Sequence, residues 1–323
     1  MNLNKVAYKI ILVIVLLIVV SVVIFKYTLV RKNTQKIAYQ EISLYQHIFI
    51  AYEKGYFKEE GLNVELKSFA SANQMMEAFL SDNIDVLGLT NTQVALTIEA
   101  KQSNQMKFIN FLVWEKNAYP DYIIARKDAK IKTMKDLEGK KIGLHPGSAV
   151  RAFSEVVFKH FGLDLSKIST IELKPEIMQS SIIAGSVDAV YCMDPVATTL
   201  FLSGLCDTLI SNPMQFIFPA PTPISGTALS TKIIKENPKI ADRLIRAIDK
   251  AILYSRDPKN KDEIAGYIAK YTPIKKEQTL LMNPSVYWKF EEIQHERVQL
   301  LSEKFYELGV VDKKIDITSM IYQ

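Results

Sequence analysis

The chain of 323 residues has only two cysteines, Cys192 and Cys206, too few for a disulfide-dense scaffold. A single bridge between them stays open, because spacing alone does not establish that two Cα atoms are close. Also missing are Gly-x-Ser-x-Gly, His-Glu-x-x-His, a Walker loop and Cys-x-x-Cys, and with them the usual marks of hydrolytic, zinc, nucleotide-driven and redox enzymes. His145 and Cys192 make a nucleophilic pair on paper only, since two such residues from separate loops co-occur by chance in most chains of this size. No catalytic residue, metal or cofactor is therefore expected. The net charge of +5 comes partly from basic residues flanking the N-terminal apolar run, so it does not indicate nucleic acid.

That apolar run spans Ile10 to Phe25, sixteen residues broken only by Ser21, with Lys5 and Lys9 before it and Lys26, Arg31, Lys32 and Lys36 after it. It ends without the small residues of a cleavage site, which points to a retained transmembrane anchor. It is shorter than the ~20 residues a bilayer needs, but Tyr8, Tyr27, Leu29 and Val30 extend it while Lys9 and Lys26 snorkel. No cysteine follows that could carry a lipid. The more basic flank lies after the run and argues for a cytoplasmic C-terminus; long domains translocate largely regardless of such charge, and an extracytoplasmic, periplasmic or outer, location is expected.

Beyond residue 36 the chain is too long for one typical domain of ~100–200 residues. Strand-like stretches at 36–42, 64–69, 85–89 and 107–114 alternate with helical ones, and the pattern returns with strands at 141–144, 170–173, 188–193 and 207–210 and helices at 149–161, 176–184 and 195–202. From Asn237 onward the reading is nearly all helical, with Ile240, Leu244, Ala247, Ile248 and Ala251 on one face. Such a tail packs most simply on the first lobe, so the chain crosses between lobes twice, near 122–126 and 227–230. The expected organisation is an anchor at 1–35, lobe 1 at 36–121 plus 229–323, and lobe 2 at 122–228. Segments 84–91 and 187–194 look equivalent: each is a buried strand after a helix, ending in Asn91 or Asp194 and opening another helix.

In open α/β sheets, ligands sit at the carboxyl ends of strands beside helix N-termini. The loop 143–151 is one such place: Gly147 permits a tight turn, Ser148 is placed to N-cap the next helix, and the free N–H groups there suit an anion. A plain capped helix explains the loop equally well, and Arg151 has a simple partner in Glu155 at i+4. His145 is either a cleft donor or a turn residue. Asp194 before Pro195 reads as a cap and also as a carboxylate for a ligand ammonium or ring N–H; Asn91 reads likewise, and Thr92 opens the helix behind it. Tyr45 and Gln46, after the first strand, offer a ring and an amide, and Tyr119, Trp114 and Tyr191 are further aromatic candidates that more often serve as core.

The stretch Ala51-Tyr52-Glu53-Lys54-Gly55-Tyr56-Phe57-Lys58-Glu59-Glu60-Gly61-Leu62-Asn63-Val64 resembles the A-x-x-K-G-F-F-x-x-x-G-L-x-V signature of nitrate, sulfonate, taurine and thiamine-precursor solute-binding proteins. Physically it reads as one helix ending in a glycine cap. The resemblance runs on through 85–88, 134–143, Gly147-Ser148 and Asp194-Pro195. It implies an α/β chain of the type II periplasmic-binding-protein fold: two α/β lobes on a two-crossing hinge, here preceded by one N-terminal transmembrane helix. Carried over position by position, it makes Tyr45, Gln46, Asn91, Ser148, Ala149 and Asp194 ligand-binding; Thr92, Tyr119 and His145 complete the expected set. The implied partners are a small-molecule solute and the permease and ATPase subunits of an ABC importer. A taurine-like sulfonate suits the Ser148 helix start and Asp194; a thiamine pyrimidine precursor is the alternative. A pyrimidine-synthase-like enzyme on the same fold is the third reading, but its cysteine-rich iron motif is not visible here. Where many relatives have Trp-Glu-Pro, this chain has Met193-Asp194-Pro195, so a stacking indole is lost.

Overall fold

The structure, a computed structural model, describes residues 34–116, 121–194 and 196–323. The expected anchor at 10–25 and the candidate Tyr119 lie outside the described residues. Among the described residues no helix is long and apolar enough to cross a membrane.

The strands are β1 (Thr34–Tyr39), β2 (Asn63–Ser68), β3 (Val86–Asn91), β4 (Met106–Trp114), β5 (Asp121–Arg126) and β6 (Lys141–Leu144). They continue with β7 (Ser169–Glu172), β8 (Ala189–Met193), β9 (Cys206–Ser211), β10 (Thr222–Ser230) and β11 (Val286–Trp288). Helices in the first half are α1 (Gln46–Glu53), α2 (Tyr56–Glu59), α3 (Ala72–Leu80), α4 (Thr92–Lys101), α5 (Ser148–His160) and α6 (Pro175–Ile183). The rest are α7 (Val196–Ser203), α8 (Thr231–Glu236), α9 (Ile240–Arg256), α10 (Lys261–Tyr271), α11 (Lys276–Leu281) and α12 (His295–Glu307). One sheet has the order β11-β4-β10-β3-β1-β2 and the other β7-β6-β8-β5-β9.

The two sheets are built alike. Each has three parallel strands, β2-β1-β3 in one and β7-β6-β8 in the other. The next strand in each is antiparallel and is the first to enter after a change of sheet: β10 on β3, β5 on β8. The resemblance between segments 84–91 and 187–194 has a physical basis in this arrangement. Asp85 Oδ2 accepts the Lys36 N–H at 2.8 Å, and Asp188 Oδ2 accepts the Lys141 N–H at 2.9 Å. Each carboxylate thus pins the neighbouring parallel strand, and the two backbone carbonyls accept from Ser230 and Arg126, on the antiparallel partners.

Burial follows from position in the sheet. β3 is buried from Val86 to Thr90, and β4 is buried at every residue but Lys107, as central strands covered on both faces should be. β2, at an edge, is half exposed. The long amphipathic α9 packs on α1 and α2 and turns Ile240, Leu244, Ile248 and Ile252 into the core. The helical tail does cover the first sheet, but it also adds β11 to that sheet, pairing Val286–Trp288 with Phe111–Val113.

Three expectations are corrected. The motif read as one helix is two, because Gly55, at φ +75°, ends α1 before α2 starts. The return to the first sheet precedes Thr222, not 227–230, since all of β10 lies between β4 and β3; likewise β5 is wholly in the second sheet, so the outward change falls before Asp121. The bridge that the sequence left open is not formed: both cysteines are buried and free. They sit on β8 and β9 with β5 between them, opposite Tyr122 and Arg126, so their separation exceeds the roughly 9–10 Å of two strand spacings against a bridging limit of about 7 Å.

Gly88 is required by close packing. A Cβ there would stand 2.7 Å from Ala38 O and 3.1 Å from the Tyr45 ring. Gly88→Ala should therefore destabilise the fold by about 1–3 kcal/mol, as overpacking does, read as a lower urea midpoint.

Asp121, the first residue of β5, is 2% exposed. Its Oδ2 accepts from Tyr191 Oη at 2.6 Å and from the Met214 N–H at 3.3 Å, and its backbone O accepts the Asn212 N–H at 2.8 Å. It therefore ties the start of β5 to the stretch leading back towards β10. Oδ1 has no hydrogen-bond partner among the described residues, and burial pushes this carboxyl up to about 7 from 3.8. A raised folded value makes its contribution to stability full below pH ~4 and lost as the pH rises through about 7, by up to ~1.4 kcal/mol per pH unit. Asp249, raised to about 6 by burial, acts with the same sign, so the informative quantity is the difference between variant and parent. Between pH 5 and 8 the melting temperature of Asp121→Asn should fall less steeply than that of the parent; parallel curves would show that Asp121 does not titrate there.

Candidate functional site

A cavity of ≈190 Å³ lies where β3 and β8 end, between the two sheets. Its position follows from the paired topology: Ser225 of β10 stands opposite Asn91, and Asp121 of β5 stands opposite Met193. Each strand that enters after a change of sheet thus begins near a residue that opens a helix.

Six of the residues expected from the sequence line this cavity: Tyr45, Asn91, His145, Ser148, Ala149 and Asp194. Two others do not. Gln46 is buried at the start of α1, and Thr92 is fully buried with its hydroxyl donating to Pro223 O at 2.9 Å, so it fastens α4 to β10.

Asn91 caps α4, its Oδ1 accepting the Gln93 N–H at 2.9 Å; its Nδ2 has no partner among the described residues. Asp194 Oδ1 accepts from the N–H and hydroxyl of Thr198 at 3.1 and 2.6 Å, in the first turn of α7. Its Oδ2 has no such partner among the described residues. Capping and presentation to the cavity therefore fall to different oxygens of one carboxylate.

The start of α5 differs from expectation. Gly147, at φ +139°, takes the N-cap position and Ser148 is already helical, so the serine hydroxyl caps nothing. The N–H groups of Ser148, Ala149 and Val150, all three residues in the wall, have no intrahelical acceptor, as at any helix start. Arg151 pairs with Glu172 at 2.7 Å, not with Glu155 as its i+4 spacing suggested, which keeps its charge on the outer surface.

His145 Nδ1 donates to Pro146 O at 3.1 Å, and burial holds the ring below its ordinary value, so it presents a neutral imidazole. Tyr45, 2% exposed, donates its hydroxyl to Leu89 O at 3.2 Å and contributes ring surface. Cys192 also lines the cavity, but burial raises its thiol well above the ordinary range, the reverse of an activated nucleophile. Among the described residues no group of three His, Cys, Asp or Glu side chains could hold a metal ion.

Sequence reasoning missed part of the wall. Met75, Met178 and Met193 line it, as does the stretch from Met282 through Asn283, Pro284 and Ser285 to Val286. That stretch lies within the tail read as helical, although Asn283-Pro284 is a turn signal that could have located it. Among the described residues no lysine or arginine lines the cavity, and Asp194 is the one carboxylate there.

The model of the family described as NMT1/THI5 like matches residues 45–260. The putative aliphatic sulfonates-binding protein of Bacillus subtilis (strain 168) is 23% identical over 281 residues, covering 85% of this chain and 82% of that protein. Among solved structures, the periplasmic aliphatic sulphonate binding protein of Escherichia coli superposes with a TM-score of 0.71 at 19% identity, covering 90% of this chain and 92% of that one. The alkanesulfonate-binding protein of Xanthomonas axonopodis pv. citri, bound to MOPS, gives 0.70 at 17% identity and covers 90% and 98%. All three are described as binding proteins, the first as a putative one, and the likeness to the solved structures shows a shared α/β fold.

Loss of the Asp194 carboxylate should leave the start of α7 uncapped. Asp194→Ala is expected to lower stability by about 1 kcal/mol, measured by urea unfolding, while Asp194→Asn, which keeps an acceptor oxygen, should lose less than half of that.

Proposed function

The chain belongs to the NMT1/THI5-like family, and from that premise we propose that it is the extracytoplasmic solute-binding component of an ABC importer, taking a small zwitterion of the aminosulfonate type. The carrying observation is the charge of the cavity wall: one carboxylate, Asp194, the unpaired N–H groups that begin α5, and no lysine or arginine. A sulfonate suits the helix start, where backbone N–H groups and the helix dipole favour an anion. A ligand ammonium suits Asp194 Oδ2. A simple sulfonate would bring a second negative charge beside Asp194 with no cation to offset it, which disfavours it in a partly enclosed site.

In this reading residues 34–116 with 222–323 form one lobe and 121–211 the other, and the lobes close on the solute about the two changes of sheet. The apolar run at 10–25 tethers the receptor at the membrane beside its permease and ATPase. One observation favours a second solute class. Met75, Met178, Met193 and Met282 all line the cavity, and thioethers make favourable contacts with aromatic rings, so a pyrimidine precursor carrying ring or amino N–H groups for Asp194 is the alternative.

Isothermal titration of the full chain separates these readings. Taurine and MOPS should release heat, ethanesulfonate should bind at least about tenfold more weakly, and Asp194→Asn should weaken the aminosulfonates by roughly 10- to 100-fold, as for a lost charged hydrogen bond. Heat with an aminopyrimidine and none with any sulfonate would transfer the assignment to the second class.

A further inference from the structure

A second, outer chamber of ≈490 Å³ adjoins the cavity and shares with it the wall formed by Gln40, Ile42, His145, Pro146, Pro175 and Val196. On its far side Gln278 of α11 meets Thr199 of α7, Nε2 donating to Oγ1 at 3.3 Å. Among the described residues this is the one side-chain hydrogen bond between residues 34–116 or 222–323 and residues 121–211. The orientation of Gln278 has a cause: its Oε1 accepts the Lys275 N–H at 3.1 Å at the start of α11, which leaves the amide nitrogen to face Thr199. Thr199 lies beside Thr198, the residue that holds Asp194. Continuing from α11, Met282 to Val286 line the inner cavity, and β11 then anchors the segment to β4. One short segment therefore reaches the cavity wall, the first sheet and the opposite lobe.

We infer that Gln278 and Thr199 are the closing contact of the cleft, through which segment 276–286 holds the lobes together over a solute that enters by the outer chamber. The inference rests on the two-lobed receptor reading above. Neither side chain lines the inner cavity, so both are positioning residues: they set how long the cleft stays shut, not what it recognises. A neutral hydrogen bond of this kind shifts an equilibrium by roughly two- to tenfold.

The test uses the solute-free full chain with spin labels at Glu77→Cys and Ser180→Cys, exposed positions on α3 and α6; the native cysteines are buried. Distance distributions should show a closed population that falls roughly two- to tenfold in Gln278→Ala and in Thr199→Val, with Thr199→Ser retaining it. Thr199→Val preserves shape, so it reports the bond even if Gln278→Ala loosens α11. A distribution unchanged by Thr199→Val, or Thr199→Ser as open as Thr199→Val, overturns the inference. Titration of the same samples with taurine keeps the two claims apart: absence of heat counts against the solute class while a shifted distribution still supports the closing contact, and normal binding with unshifted distances retires the closing contact alone.

Discussion

Parallel strands cannot be joined by tight turns, and each half of this molecule is left with three parallel strands whose inner member, β3 or β8, needs a hydrogen-bonding partner. The chain supplies that partner from beyond a change of sheet: β5 completes the second sheet as soon as the chain enters it, and β10 completes the first as soon as it returns. Each sheet therefore depends on one of the two connections between them. The strands that follow these connections are inner members of their sheets, so a movement of one sheet against the other would bend the chain at the ends of buried strands.

The site follows from that ladder. Asn91 and Asp194 stand at the same point of two matching frameworks, each at the end of an inner parallel strand and each capping the helix that follows. The same construction puts the buried Asp121 beside Met193, where it gathers bonds from β8 and from the returning chain. Its unpaired oxygen and raised pKa identify this as the place where the fold accepts an electrostatic cost close to the cavity.

The cavity's chemistry is defined as much by exclusion as by what it contains. Arg151, the nearest arginine in sequence to the anion-suited helix start, is held outside by Glu172, and among the described residues no lysine or arginine lines the wall. Negative charge in a ligand must then be met by backbone N–H groups, and positive charge by Asp194. Both groups stand at the carboxyl ends of the adjacent strands β6 and β8, and their pairing is the basis for preferring a solute with both charges.

The alternation of strands and helices, the matched segments at 84–91 and 187–194 and the glycine-marked turns were legible because they are local: they rest on periodicity, capping residues and the backbone freedom of glycine. Most strands accordingly lie within a residue or two of where the pattern put them, and Asn91 and Asp194 were found as helix openers. The bonds of Thr92 to Pro223 and of Arg151 to Glu172, the return of the chain before Thr222, and the Met282–Val286 wall were not legible, because each joins residues that only packing brings together. The sequence by itself determined the class of fold, the repeat within it and the residues that open its helices. Tertiary structure alone decided which of these share a cavity, that no lysine or arginine of the described residues joins them there, and that Gln278 meets Thr199, since burial and partnership between distant residues are properties of the packed chain.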